Sequence, residues 1–107
     1  MTTDDLQAHT SLVLSELSGP QLTALNKFAE RDLGDMMDPL LTHEQLMLIV
    51  EGKRRAEAPA DVSPLDTFLD VFGKIVAVAS GIASIVNPVA GSISAIAGAV
   101  TAVKAVK

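Results

Sequence analysis

Few residues in this 107-residue chain have the type and spacing that a reactive site needs. His9 and His43 are the two histidines, and neither has the neighbouring ligand or base pattern of a metal or catalytic centre. Cysteine is absent, which excludes disulfides, thiolate metal sites and a cysteine nucleophile. The serines of the C-terminal third have no adjacent base, and no glycine-rich turn with a lysine opens a helix. The sequence therefore predicts no catalytic residue, no cofactor, no metal site and no enzyme activity.

The nearest approach to a cation site is the acidic segment "ERDLGDMMD", where Asp32, Asp35 and Asp38 recur every three residues. We expect Gly34 to end the preceding helix, which makes these carboxylates a solvated acidic turn. Calcium loops need closer, alternating ligands. The methionines of the same segment are interpreted as gap-filling or interface residues.

Charge is distributed unevenly along the chain. All thirteen acidic residues and five of the eight basic ones lie in residues 1–70, whose net charge is −8, whereas three lysines give residues 71–107 a charge of +3. Phosphate binding requires clustered Lys and Arg, so an acidic N-terminal region excludes nucleic acid as the expected partner. The short cluster "KRR" at Lys53 is typical of the last turn of a helix, where cations complement the helix dipole.

Composition favours an all-α fold. Hydrophobic residues make up 49% of the chain and aromatic residues only 3%, so the apolar mass is Ala, Val, Ile and Leu. Such residues favour helices that pack closely through small side chains. The polar, acidic opening "MTTDDLQAHT" is unlike a secretory signal peptide. We expect synthesis in the cytoplasm and a final location in a virion or at a membrane.

Local signals predict a three-helix head over residues 1–57, a linker over 58–64 and an apolar helical region over 65–107. The first helix starts after "TTDD" and runs to about Leu17, and the second covers "PQLTALNKFAERDL". The third begins at Thr42, which forms a capping box with Gln45. Ser63 and Pro64 set up the start of the next helix.

From Leu65 onward, apolar residues recur at three- and four-residue spacing, as in helices that pack along a seam. The opposite faces carry Ala, Gly and Ser, which let another backbone approach closely. We predict that these two faces form an interface with other subunits or with lipid. The predicted interface residues are Phe68, Phe72, Ile75, Ala79, Gly81, Ile82, Val86, Gly91, Ile93, Ile96, Gly98 and Val100.

Asn87 and Pro88 interrupt the uncharged run from Ile75 to Val103. As a single helix, that run would be about 44 Å long and could cross a bilayer at a tilt. Pro88 disrupts a helix and pushes the residue before it out of helical geometry, which favours a hinge between two antiparallel helices of roughly 64–86 and 88–105. Both arrangements remain open from the sequence, and the hairpin is preferred.

The segment "GKIVAVASGIASIVNPVAGSISAIAGAVTAVKAVK" resembles the Ala/Gly/Ile-rich hairpins of pore-forming colicins and the hydrophobic segments of phage ejection (internal virion) and tail tape-measure proteins. The resemblance covers the last third of the chain and is compositional. It implies soluble storage followed by membrane insertion or assembly of a helical channel, and it transfers no functional residue.

Three functional hypotheses follow. The first is a non-enzymatic homo-oligomer that contacts or penetrates a membrane, such as a phage virion or ejection-channel component. The second is a soluble helical interaction module whose hairpin is covered by its own head or by a partner. The third is a single-span membrane anchor with its C-terminal lysines across the membrane from the head.

Overall fold

Polar residues at the helix starts determine where the helices of this chain begin. Thr2, Ser18 and Thr42 each accept a hydrogen bond from the backbone N–H three residues ahead, and the side chain at that position bonds back to the cap. The third of these capping boxes, between Thr42 and Gln45, confirms the sequence prediction. Ser63 caps the next helix through Asp66, with Pro64 at its first position.

The fold is all-α, as the sequence predicts. The computed structural model describes residues 2–106, and the side chains of residues 2–103. Within that range there are five α-helices, one short 3-10 helix and no strand. The elements are α1 (Thr3–Ser15), α2 (Gly19–Arg31), the 3-10 helix (Leu33–Met36), α3 (His43–Ala56), α4 (Pro64–Ala79) and α5 (Pro88–Val106).

Two predicted helix ends are wrong. Gly34 does not cap α2, because the helix ends at Arg31 with Asp32 as its C-cap, and the chain continues into the 3-10 helix that contains Gly34. The helix predicted over 64–86 ends at Ala79, seven residues early. There the Ser80 hydroxyl donates to the Val76 carbonyl, and Gly81 and Ile82 form tighter bonds to carbonyls three residues back. Residues 80–87 are consequently a non-helical turn.

α4 occupies the centre of the fold. It packs against α1, α2, α3 and α5, and α5 also contacts α1, α2 and the 3-10 helix. Phe68 stacks on Phe28 of α2 at a ring separation of 4.4 Å and on Phe72 at 5.9 Å, so the three phenylalanines of the chain form one column. Apart from Ala24, the buried apolar residues of the helices belong to a single hydrophobic cluster to which all five helices contribute.

Candidate interaction surface

Asn87 joins the turn 80–87 to the connector that precedes α3. Its Nδ2 donates to the carbonyls of Pro39 at 3.1 Å and Leu41 at 2.8 Å, residues 48 and 46 positions away. Its Oδ1 accepts from the backbone N–H groups of Val89 and Ala90, which caps α5. Both donors and both lone pairs of the amide are therefore used within the chain. Asn87 is a structural tie as well as the predicted hinge residue, and its amide has no capacity left for a ligand.

An apolar groove lies where this connector crosses the turn. We call it the turn groove; it has a volume of about 730 Å³ and is open to solvent. Three large apolar side chains border it and are strongly exposed: Met37 at 50%, Leu40 at 80% and Val86 at 97%. Six large apolar side chains are exposed in the described part of the chain, and half of them meet here. Such a concentration is typical of an interaction surface.

The close contact between Ile85 and Gly91 shapes the groove wall. A Cβ atom at Gly91 would lie 2.9 Å from Cγ2 of Ile85, which is too close for an unstrained contact. Gly98, further along α5, differs, because a Cβ there would meet only the Gln7 amide at 3.8 Å. A side chain at position 91 would therefore displace Ile85, whereas one at position 98 would meet only ordinary van der Waals contact.

One carboxylate lines the turn groove. Asp38 accepts a hydrogen bond from the Leu40 N–H at 2.9 Å, which fixes the connector as a turn. Within the described residues, no Lys, Arg or His lines the groove and Asp38 forms no ion pair. The groove therefore combines apolar walls with an uncompensated negative charge.

A second cleft, of about 500 Å³, lies between α2, α3 and the start of α4. Lys53 Nζ donates in it to Asp32 at 3.2 Å and to Asp35 at 2.7 Å. Burial acts to lower the pKa of Lys53, but hydrogen bonds and attraction from the two carboxylates outweigh it and raise the pKa above its ordinary value of 10.5. Lys53 and the two carboxylates already form ion pairs with one another, whereas Asp38 in the turn groove forms none in the described part of the chain. The turn groove therefore offers a ligand an unpaired charge that these three groups do not.

Most of the predicted interface residues lie in the hydrophobic core of the chain. Eight are buried: Phe68, Phe72, Ile75, Ala79, Ile82, Ile93, Ile96 and Val100. Of the other four, Gly81, Val86 and Gly98 are exposed and Gly91 is half-buried. Val86 and Gly91 line the turn groove, where the structure brings them together with the hinge residue Asn87. Pro88 is the first residue of α5.

His9 and the buried hydroxyl groups have structural partners. A ring nitrogen of His9 lies 3.3 Å from the Lys74 carbonyl oxygen, and the buried hydroxyls of Thr10, Thr67 and Ser92 donate to carbonyls four residues earlier in their own helices. The described residues contain no group of three His, Cys, Asp or Glu side chains arranged to hold a metal ion. In the same part of the chain, no helix combines the length and the apolarity needed to cross a membrane.

Some residues that border the turn groove are among the predicted interface residues, and others are not. The sequence predicts a gap-filling or interface role for Met36 and Met37; Met37 borders the groove, whereas Met36 is fully buried. Leu40 was not singled out. The sequence gives little indication of a role for Leu40. It is one of two leucines directly after Pro39 in a connector, and two adjacent apolar residues do not define the face of a helix or strand.

Comparison of the chain with protein-family models, with curated proteins and with solved structures gave no match.

Proposed function

We propose that this chain is a non-enzymatic helical interaction module, which docks on another protein through the turn groove. In this proposal α1 to α3 form a head that covers an apolar hairpin of α4 and α5, corresponding to the segments 1–57, 58–64 and 65–107. The observation that carries it is the contrast between the hairpin's buried seam and the exposed Met37, Leu40 and Val86 beside its turn. Large apolar side chains that the fold leaves in water, rimmed by polar residues, indicate protein contact.

The enclosure of the seam supports the docking role over membrane insertion. Phe68, Ile75, Ile93 and Ile96 are each at most 1% exposed. Exposing a buried aliphatic or aromatic side chain to water costs about 1.5–3 kcal/mol, so releasing the whole seam would cost on the order of the total stability of a small domain. A docking surface that is already exposed requires no such opening.

Site-specific photo-cross-linking in the source cell tests this function. A benzophenone amino acid replaces Val86 in one full-length variant and Leu12, an exposed α1 residue outside the groove, in a control. We expect a discrete adduct from position 86 that is absent from position 12 and is lost when Leu40→Asp is added. Equal adducts from both positions, or none from position 86, would refute the proposal.

A second candidate is self-association with membrane contact, as in a virion or ejection-channel component. It is favoured by the absence of charge from Ile75 to Val103 and by the small, exposed Ser94 and Gly98 on α5. Small residues of this kind permit close helix contact between copies. Dye release from liposomes with parallel sedimentation separates the candidates, since this one predicts leakage together with oligomers and the docking module predicts neither.

A further inference from the structure

We infer that the occupant of the turn groove is a segment of a partner protein that presents apolar side chains together with a lysine or arginine. This inference depends on the proposed docking function and specifies the chemistry of the partner. The apolar part follows from Met37, Leu40 and Val86, and from a volume within the range of about 300–1,000 Å³ that is usual for ligand clefts.

The cationic part follows from Asp38. Asp38 lines the groove together with apolar residues and forms no ion pair within the described chain, while the Asn87 amide, which lines the same groove, is fully engaged. A partner that covered the groove without a cation would remove water from Asp38 and supply no compensating charge. A lysine or arginine at that edge compensates the lost hydration and forms a charge-assisted hydrogen bond.

The same charge argues against a second copy as the occupant. The chain has a net charge of −5, and residues 1–70, which supply Asp38, account for its excess of acid. In a two-fold contact the same patch faces itself, so the groove edges would bring two Asp38 carboxylates into the same desolvated region. Like charges placed together across an interface suppress association.

The test uses the full-length protein and a fluorescein-labelled amphipathic peptide of leucine and lysine, followed by fluorescence anisotropy. The matched probe has glutamate in place of lysine. We expect the lysine peptide to bind and the glutamate peptide to bind at least tenfold more weakly. Val86→Ser and Leu40→Ser should each weaken lysine-peptide binding roughly tenfold, as expected for an apolar anchor residue. Both side chains are mostly in water, so the variants should retain their helical circular dichroism.

Charge is tested with Asp38→Asn, which keeps an oxygen that can accept from the Leu40 N–H. We expect about threefold weaker binding and a smaller dependence on salt, as for the loss of a rim ion pair. Leu12→Ser and Asp4→Asn are the matched controls outside the groove and should bind like the wild type.

Three results would overturn the inference. The first is equal binding of the two peptides, and the second is binding that is insensitive to the groove variants. The third is a dimer in sedimentation equilibrium that Val86→Ser dissociates, which would assign the groove to a second copy. A position-86 adduct with a different protein, combined with failure of the lysine peptide, would leave the docking function standing and refute only the partner chemistry.

Discussion

α4 and α3 are helices of similar length that are attached to the fold by different forces. Seven of the 16 residues of α4 are buried, including two phenylalanines, whereas α3 buries only Leu46 and Val50 among its 14. The C-terminal end of α3 is instead held by ion pairs, from Lys53 to Asp32 and Asp35 and from Arg54 to Asp66. Burial of apolar area involves no charge that salt could screen, whereas surface ion pairs are weak and are screened by salt. α4 should therefore set the global stability, and α3 should respond to solution conditions.

The largest expected effect is at Phe68. Phe68→Ala removes the middle ring of the aromatic column and leaves a cavity, so we expect a loss of about 3–5 kcal/mol in the free energy of unfolding. Leu48→Ala on α3 is the control; its side chain is 68% exposed, and the loss should stay within about 0.5 kcal/mol. Urea unfolding followed by circular dichroism measures both, since the chain has no Trp or Tyr for fluorescence. If Phe68→Ala does not fold, Phe68→Leu provides a milder form of the same test. Equal losses at positions 68 and 48 would contradict the contrast between the helices.

The helix starts were predictable because their signals are local. Thr42 and Gln45 are three residues apart, and a capping box requires nothing from the rest of the chain. The end of α4 was not predictable from periodicity, because Ile82 keeps the apolar spacing and is buried although it lies in the turn. Periodicity reports which residues are buried, and a buried turn satisfies it as well as a helix does. The turn groove was not predictable for another reason. It depends on a hydrogen bond from Asn87 to Leu41, 46 positions away, and a contact between such distant residues leaves no local signal in the sequence.

Asn87, which joins the turn 80–87 to the connector before α3, provides the second test. Asn87→Ala removes the cap of α5 and leaves the carbonyls of Pro39 and Leu41 without their donor, so we expect a loss of about 2–3 kcal/mol. Asn87→Asp keeps an oxygen to cap the helix but replaces the donor with a second acceptor that faces the Pro39 and Leu41 carbonyl oxygens, so its loss should be at least as large as that of Asn87→Ala. Thermal or urea unfolding measures both variants. If Asn87→Asp is as stable as the wild type, the hydrogen bonds to Pro39 and Leu41 contribute nothing to stability and the residue acts only as a helix cap.

Glycine substitutions on α5 test how tightly the groove side of the fold is packed. Gly91→Ala forces Ile85 to move and should cost about 1–2 kcal/mol, after a partial offset from the higher helix propensity of alanine. Gly98→Ala meets no close atom and should stabilise by about 0.5–1 kcal/mol for the same propensity reason. The two changes are chemically identical and lie on one helix. Opposite effects on the free energy of unfolding would therefore show that packing against Ile85 causes the difference. A gain in stability at both positions would show that Ile85 moves at little energetic cost and that the groove wall deforms easily.

The smallest expected effects are at the ion pairs that hold α3. Lys53→Met should cost less than about 1 kcal/mol and Arg54→Met should have a smaller effect, and added salt should reduce both losses. Lys53 also gives a pH dependence. Its pKa is raised in the folded state, so its contribution to stability is complete below pH 10.5 and is lost as the pH rises through the folded-state value. Wild type and Lys53→Met should therefore converge in stability at alkaline pH, whereas Phe68→Ala should remain destabilised at every pH. Convergence of the Phe68 variant as well would mean that α4 too depends on charge, and the distinction between the two helices would fail.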